Sequence, residues 1–175
     1  MMRFLYSILL FSLFFLNPLV ASSMDMYTLR REYIEALNDE KKTNDLLAQL
    51  SKKDITDPVL IGYRGALEAL KAKHAFNPYN KINFLRKSQQ TLEKAISMSP
   101  DNIEIRFLRF SINHFLPAFL RMTQDMHADR EVIVKNFKTS EVDQEVRESI
   151  GKFMIESGRC SPEEVAHIKT ALNSR

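Results

Sequence analysis

One cysteine, four glycines and six prolines are few for a chain of 175 residues. A single thiol, Cys160, cannot close an internal disulfide, so the fold must be held by packing. Its structural role would be that of a half-buried small hydrophobe near a helix start, and an intermolecular disulfide is the alternative. Strands joined by hairpins consume turn residues, so this scarcity points to helices. Four scattered glycines also cannot build a P-loop, a dinucleotide fingerprint or a Gly-rich oxyanion loop. Charge of one sign is lacking too. The 25 basic and 22 acidic residues are mixed along the chain, which excludes an extended nucleic-acid surface, and no nucleic-acid partner is expected. Neither metal nor cofactor is expected. The four histidines, His74, His114, His127 and His167, form no His-Glu-x-x-His and no pair at helical ligand spacing.

What is present begins at the N terminus. In MMRFLYSILLFSLFFLNPLVAS, Arg3 precedes the charge-free run Phe4 to Leu16, Asn17-Pro18 breaks it, and small residues follow. That order is a secretory signal peptide. A retained anchor is the other reading, but the run is shorter than the roughly 20 residues that cross a bilayer. With no cysteine near the cut, a lipoprotein anchor is excluded. The expected organisation is a signal peptide over residues 1–22 and one helical domain over 23–175, about 153 residues, enough for a real core. No transmembrane segment is expected after cleavage, and the destination is the periplasm or the outside of a bacterium.

Along that domain the pattern is helical throughout. Asp25 can cap a first helix to about Asn38, and after a polar turn Leu46, Leu47 and Leu50 make the stripe of a second. Asp57-Pro58 and Asn77-Pro78 pair an N-cap with a proline at the first helical position, opening the third and fourth helices. Gly62, Gly65, Ala66, Ala69 and Ala72 line one side of the third, where a neighbour can come close. The fifth helix, Ile103 to about Leu116, is apolar on two sides and polar only along Asn102, Arg106, Arg109 and Asn113, so it should be sandwiched between others. A sixth helix is expected over Asp129 to Phe137 and a seventh from Ser140, ending at Gly158. The last opens with the capping box Ser161-Pro162-Glu163-Glu164. No strand alternation occurs. The expected fold is all-α, antiparallel hairpins of about seven or eight helices.

Within LEKAISMSPDNIEIRFLRF, Leu92, Ala95, Ile96, Pro100, Asp101 and Asn102 resemble the junction between tetratricopeptide repeats, over roughly residues 84 to 110. The small alanine there admits a close neighbour and the proline ends the helix. The resemblance implies a short tetratricopeptide-like array. The third and fourth helices together exceed the family's roughly 34-residue unit, and its Trp and Gly-Tyr positions have no match here. The segments KAKHAFNPYNK and SPDNIEIRFLRFSI also resemble a family of uncharacterised exported helical proteins of bacteria, which implies location and fold without an activity.

Arginines on an otherwise apolar helix must be paired or hydrated. Arg106 and Arg109 can bind carboxylates of adjoining helices, with Glu104 or Glu68 as candidates. Alternatively, with Asn113 they clamp a carboxylate or peptide end in a groove, a task suited to bidentate guanidinium geometry. Arg106, between two buried stripes, is expected to be structural and Arg109 to be the clamp. His74, Asn77, Tyr63 and Tyr79 can add polar tips. The leading expectation is a non-enzymatic binding or scaffold protein holding a protein or peptide partner. A small periplasmic hydrolase using His74 or His114, with Ser111 near the latter, and a structural subunit of an envelope assembly are the alternatives. The basic cluster Lys71, Lys73, Lys81, Arg86 and Lys87 reads as a solvated face or a contact to anionic lipid. If the signal is read correctly, N-terminal sequencing of the exported form finds a start between Ser22 and Met24; a start at Met1 with membrane retention overturns it.

Overall fold

The computed structural model describes residues 25–52, 54–120 and 123–174. The expected signal segment, residues 1–22, lies outside the described residues. Among these, the fold is all-helical, with eight α-helices and no strand. They are α1 (Met26–Ala36), α2 (Glu40–Ser51), α3 (Pro58–His74), α4 (Pro78–Met98), α5 (Ile103–Phe115), α6 (Thr123–Asn136), α7 (Gln144–Glu156) and α8 (Pro162–Asn173). A short 3-10 turn, Ala118–Leu120, separates α5 from α6. By its contacts the chain divides within α1, between Arg30 and Arg31. In the first unit the described residues are the opening turn of α1, where Asp25 accepts from the Thr28 backbone N–H at 3.0 Å. All that follows belongs to the second unit.

Most helix starts are written by capping chemistry. Side chains of Asp39, Asp57, Asn77 and Asn102 each accept a backbone N–H of the following first turn. At α8 both halves of the box form: the Ser161 hydroxyl accepts from Glu164 N–H, and the Glu164 carboxylate accepts from Ser161 N–H at 2.7 Å. Gly158, past the end of α7, takes the left-handed φ of 65° that a C′ residue needs. Two starts differ from the sequence reading. α6 begins at Thr123, six residues before Asp129, and α7 begins at Gln144, not Ser140. The Ser140 hydroxyl turns back to the Phe137 carbonyl, and its own carbonyl takes the Arg147 guanidinium at 2.6 Å.

Sequential helices pack as neighbours: α2 on α3, α3 on α4, α4 on α5, α5 on α6 and α7 on α8. Alternate helices also meet, α3 with α5, α5 with α7 and α6 with α8. α5 is therefore the shared member of two cores. Its Ile105 joins Ile61, Ala95 and Ile96 of α3 and α4. Its Ile103 and Phe110 join Met126, Ile133 and Phe137 from the α6 region, Ile150 and Met154 of α7, and Ile168 and Ala171 of α8. The two-sided apolar pattern of this helix has that consequence, as expected.

The tightest seam is α3 against α4. A Cβ on Gly65 would lie 2.8 Å from Leu92 Cγ and 3.2 Å from the Leu92 backbone nitrogen, so only glycine fits. At Gly62 a Cβ would meet Leu108 Cδ1 at 3.4 Å, an ordinary contact. These neighbouring glycines should respond with opposite signs. Gly62→Ala gains up to about 1 kcal/mol from helix propensity, whereas Gly65→Ala loses about 1–3 kcal/mol to overpacking that backbone cannot relieve. Urea denaturation of both variants checks this.

Candidate functional site

The polar row of α5 meets one carboxylate. Asp129 lies on α6 in line with Met126, Ile133 and Phe137, and is fully buried. Nε of Arg109 donates to Asp129 Oδ2 at 2.8 Å and Nη2 donates to Oδ1 at 2.8 Å, a two-pronged pair. Nη1 of Arg106 donates to the same Oδ1 at 3.0 Å, and its Nε donates to the Pro100 carbonyl at 2.8 Å. The remaining Nη1 of Arg109 reaches Glu93 of α4 at 2.6 Å, with Asp125 at 3.8 Å. Burial works against the Arg109 charge, but the hydrogen bonds and charge of Asp129, reinforced by Asp125 and Glu93, outweigh it and raise its pKa above the usual arginine value.

These partners differ from the pair the sequence suggested. Glu68 of α3 accepts from the Thr91 hydroxyl at 2.7 Å and pairs with Lys87 at 3.2 Å. Glu104 accepts the Tyr63 hydroxyl at 2.7 Å. Asp129 was not among the candidates, although its place in the stripe Met126–Ile133–Phe137 is visible once α6 is extended backwards. Asn113 is buried one turn beyond Arg109.

The five candidate binding residues thus fall in separate places. Arg109 is 7% exposed and lies at the floor of an open cleft of about 570 Å³ between α4 and α6. Its guanidinium is committed to Asp129 and Glu93. His74 and Asn77 line a different cleft, about 350 Å³, between α2, the end of α3 and the start of α4. Glu40, Asn44, Lys71, Phe76, Asn80 and Phe84 are among the other residues of its wall. Two polar atoms of this wall, Nε2 of His74 and Oδ1 of Asn44, are buried without a hydrogen-bond partner. Asn77 also caps α4, accepting from Tyr79 N–H at 2.8 Å.

The second histidine is elsewhere: the His114 ring stands edge-on to Phe115 and to Phe153 of α7, with centroids 5.0 and 5.4 Å apart. The Ser111 hydroxyl donates to the Leu108 carbonyl of its own helix at 3.0 Å. Cys160 is half-buried against the α5–α8 core. Burial, then the Glu164 charge, push its thiol up to about 11, so it is not a thiolate at neutral pH. Among the described residues no group of three or more His, Cys, Asp or Glu could hold a metal ion. None of the described helices is long and apolar enough to cross a membrane.

The Asp129 cluster predicts an ordering of variants. Arg109→Met removes two of the three guanidinium bonds to a buried carboxylate and should cost about 3–5 kcal/mol. Arg106→Met leaves the two-pronged pair intact and should cost less, about 1.5–3 kcal/mol, most of it from the charged bond to Asp129 because the bond to the Pro100 carbonyl is exposed. The double variant Arg109→Met/Asp129→Leu should lose less than the sum of its singles by about 0.5–3 kcal/mol. Denaturant melts of the set decide, and additive losses would refute the coupling.

Comparison of the chain with protein-family models, curated proteins and solved structures found no match.

Proposed function

We propose that this chain is an exported helical scaffold that holds a peptide or protein partner, in the manner of a short tetratricopeptide-like array. The expected export to a bacterial periplasm rests on the leader pattern of residues 1–22. The observation that carries the binding role is the cleft between α2, α3 and α4. Three amide side chains, Asn44, Asn77 and Asn80, share its wall with His74 and Lys71. Amides present a donor and an acceptor side by side, the pattern that a peptide backbone offers in reverse.

His74 and Asn77 are therefore the proposed binding residues among the five candidates. Arg106, Arg109 and Asn113 are assigned to the support of α5, since guanidiniums already bound to carboxylates have little to offer a ligand. The hydrolase alternative has less behind it: Ser111 is bound to its own helix and the His114 ring stands against Phe153.

Cross-linking and capture from periplasmic extract test the reading. The parent chain should retain a stoichiometric partner, and Asn44→Ala/Asn80→Ala should weaken that affinity about tenfold, as for two lost hydrogen bonds. Neither side chain caps a helix and Asn44→Ala removes a buried unpartnered oxygen, so the melting temperature should not fall. Full retention by the double variant, or capture of nothing by the parent, would remove the cleft as the binding site.

A further inference from the structure

The even mixing of charge along the chain breaks down most in one stretch. Between Glu68 and Glu93 the sequence carries Lys71, Lys73, Lys81, Arg86 and Lys87 and no acidic residue. This stretch forms the second half of α3, the turn after it and most of α4. Its charge is largely uncancelled. Lys73 is held by neutral groups, the Leu37 carbonyl at 2.6 Å and Asn38 at 3.0 Å. Arg86 donates to Asn83, Lys71 lies over the Phe84 ring, and among the described residues only Lys87 of this cluster makes an ion pair, with Glu68. Of the acidic groups packed near the turn, Glu40 of α2 shares the lining of the adjoining cleft with Lys71, and Asp39 follows the Asn38 that Lys73 touches.

The same turn carries bare apolar surface. Phe76 is 98% exposed and Tyr79 is 71% exposed, with Ile82 one turn further at 46%. Tyr79, Ile82 and Arg86 follow at three- and four-residue spacing on the face of α4 opposite its buried Ser88, Leu92 and Ala95. Rings at the head of a turn, with cations on both helices behind them, match a lipid interface. Phe76 stands at the edge of the adjoining cleft with its ring 98% exposed, so it is not seated in a pocket of the kind that anchors a protein partner. An interfacial lipid layer fits itself to a protruding ring, while its phosphates face the cations.

We infer that the α3–α4 turn docks on anionic lipid. Phe76 and Tyr79 enter the headgroup layer, with Arg86 on the Tyr79 face of α4 and the exposed Lys81 on the other side of its first turn, and these cations together with Lys73 meet the phosphates around the rings. This goes beyond the peptide cleft and does not depend on it. The geometry is peripheral: one turn touches the surface and the helical body stays outside it.

Vesicle sedimentation tests the inference, using the chain recovered after export and variants sharing its N terminus. Vesicles of phosphatidylcholine mixed with phosphatidylglycerol should bind the parent, phosphatidylcholine alone should bind it far less, and added salt should release it. Lys81→Gln/Arg86→Gln should lower the affinity about 25-fold, roughly fivefold per basic residue, and Lys81→Arg/Arg86→Lys should retain it. Phe76→Ser/Tyr79→Ser should weaken binding with an unchanged melting temperature, because neither ring is packed. Equal sedimentation with both vesicle types, absence of binding to either, or indifference to Lys81→Gln/Arg86→Gln overturns the assignment. So does charge-dependent binding to polyglutamate in place of the vesicles, which would make the surface a reader of acidic protein.

Discussion

The carboxylate of Asp129 is the fixed point of the molecule. It has no exposed surface, and two arginines of α5 converge on it. A buried charge is tolerated only when its partners are close and correctly oriented. Satisfying Asp129 therefore sets the position of α6 on α5 along the helix axis, and Arg109 extends the constraint to Glu93 of α4. Apolar contacts alone would permit sliding, because isoleucine against isoleucine has no directional preference. Three directional bonds do not slide. With the polar row of α5 spent in this way, its two apolar sides are free to face α3 and α4 on one hand and α6, α7 and α8 on the other.

The caps and the central helix were legible because their causes are local. A proline after Asp57 or Asn77 has few structural meanings, and Ser161 with Glu164 three residues on has fewer. The start of α6 was not legible. Asp129 reads locally as the first residue of a helix, since an acidic residue ahead of an apolar run is a common start signal. Its true role is set by Arg106 and Arg109, 23 and 20 residues earlier, and only tertiary packing brings them together. Ser140 misled for the same reason: a capping residue type was present, but the chain used Arg147 and the Phe137 carbonyl around it instead.

The candidate binding residues show where periodicity stops helping. Arg106, Arg109 and Asn113 share a face of one helix, which could be read directly. Whether such a face looks outward or into a neighbour depends on the partner helix, and here that partner supplies a carboxylate. His74 and Asn77 sit at a helix end and a helix start, so no period links them. Only the α3–α4 turn places them on one cleft wall with Asn44 of α2.

That turn also connects two features with different origins. The close approach of α3 to α4, enforced by Gly65 against Leu92, leaves a short connection of residues 75–77. A connection so short cannot fold back to cover its own side chains, so Phe76 stands out in solvent. An exposed phenylalanine flanked by another exposed ring and a run of uncancelled cations is not explained by the core, which gains nothing from it. The helix that begins at Pro78 fixes the spacing of Tyr79, Ile82 and Arg86 before docking, so less conformational freedom is lost when they meet a surface. The hairpin that sets these spacings is thus what makes its tip suited to a surface, although Phe76 also borders the neighbouring cleft.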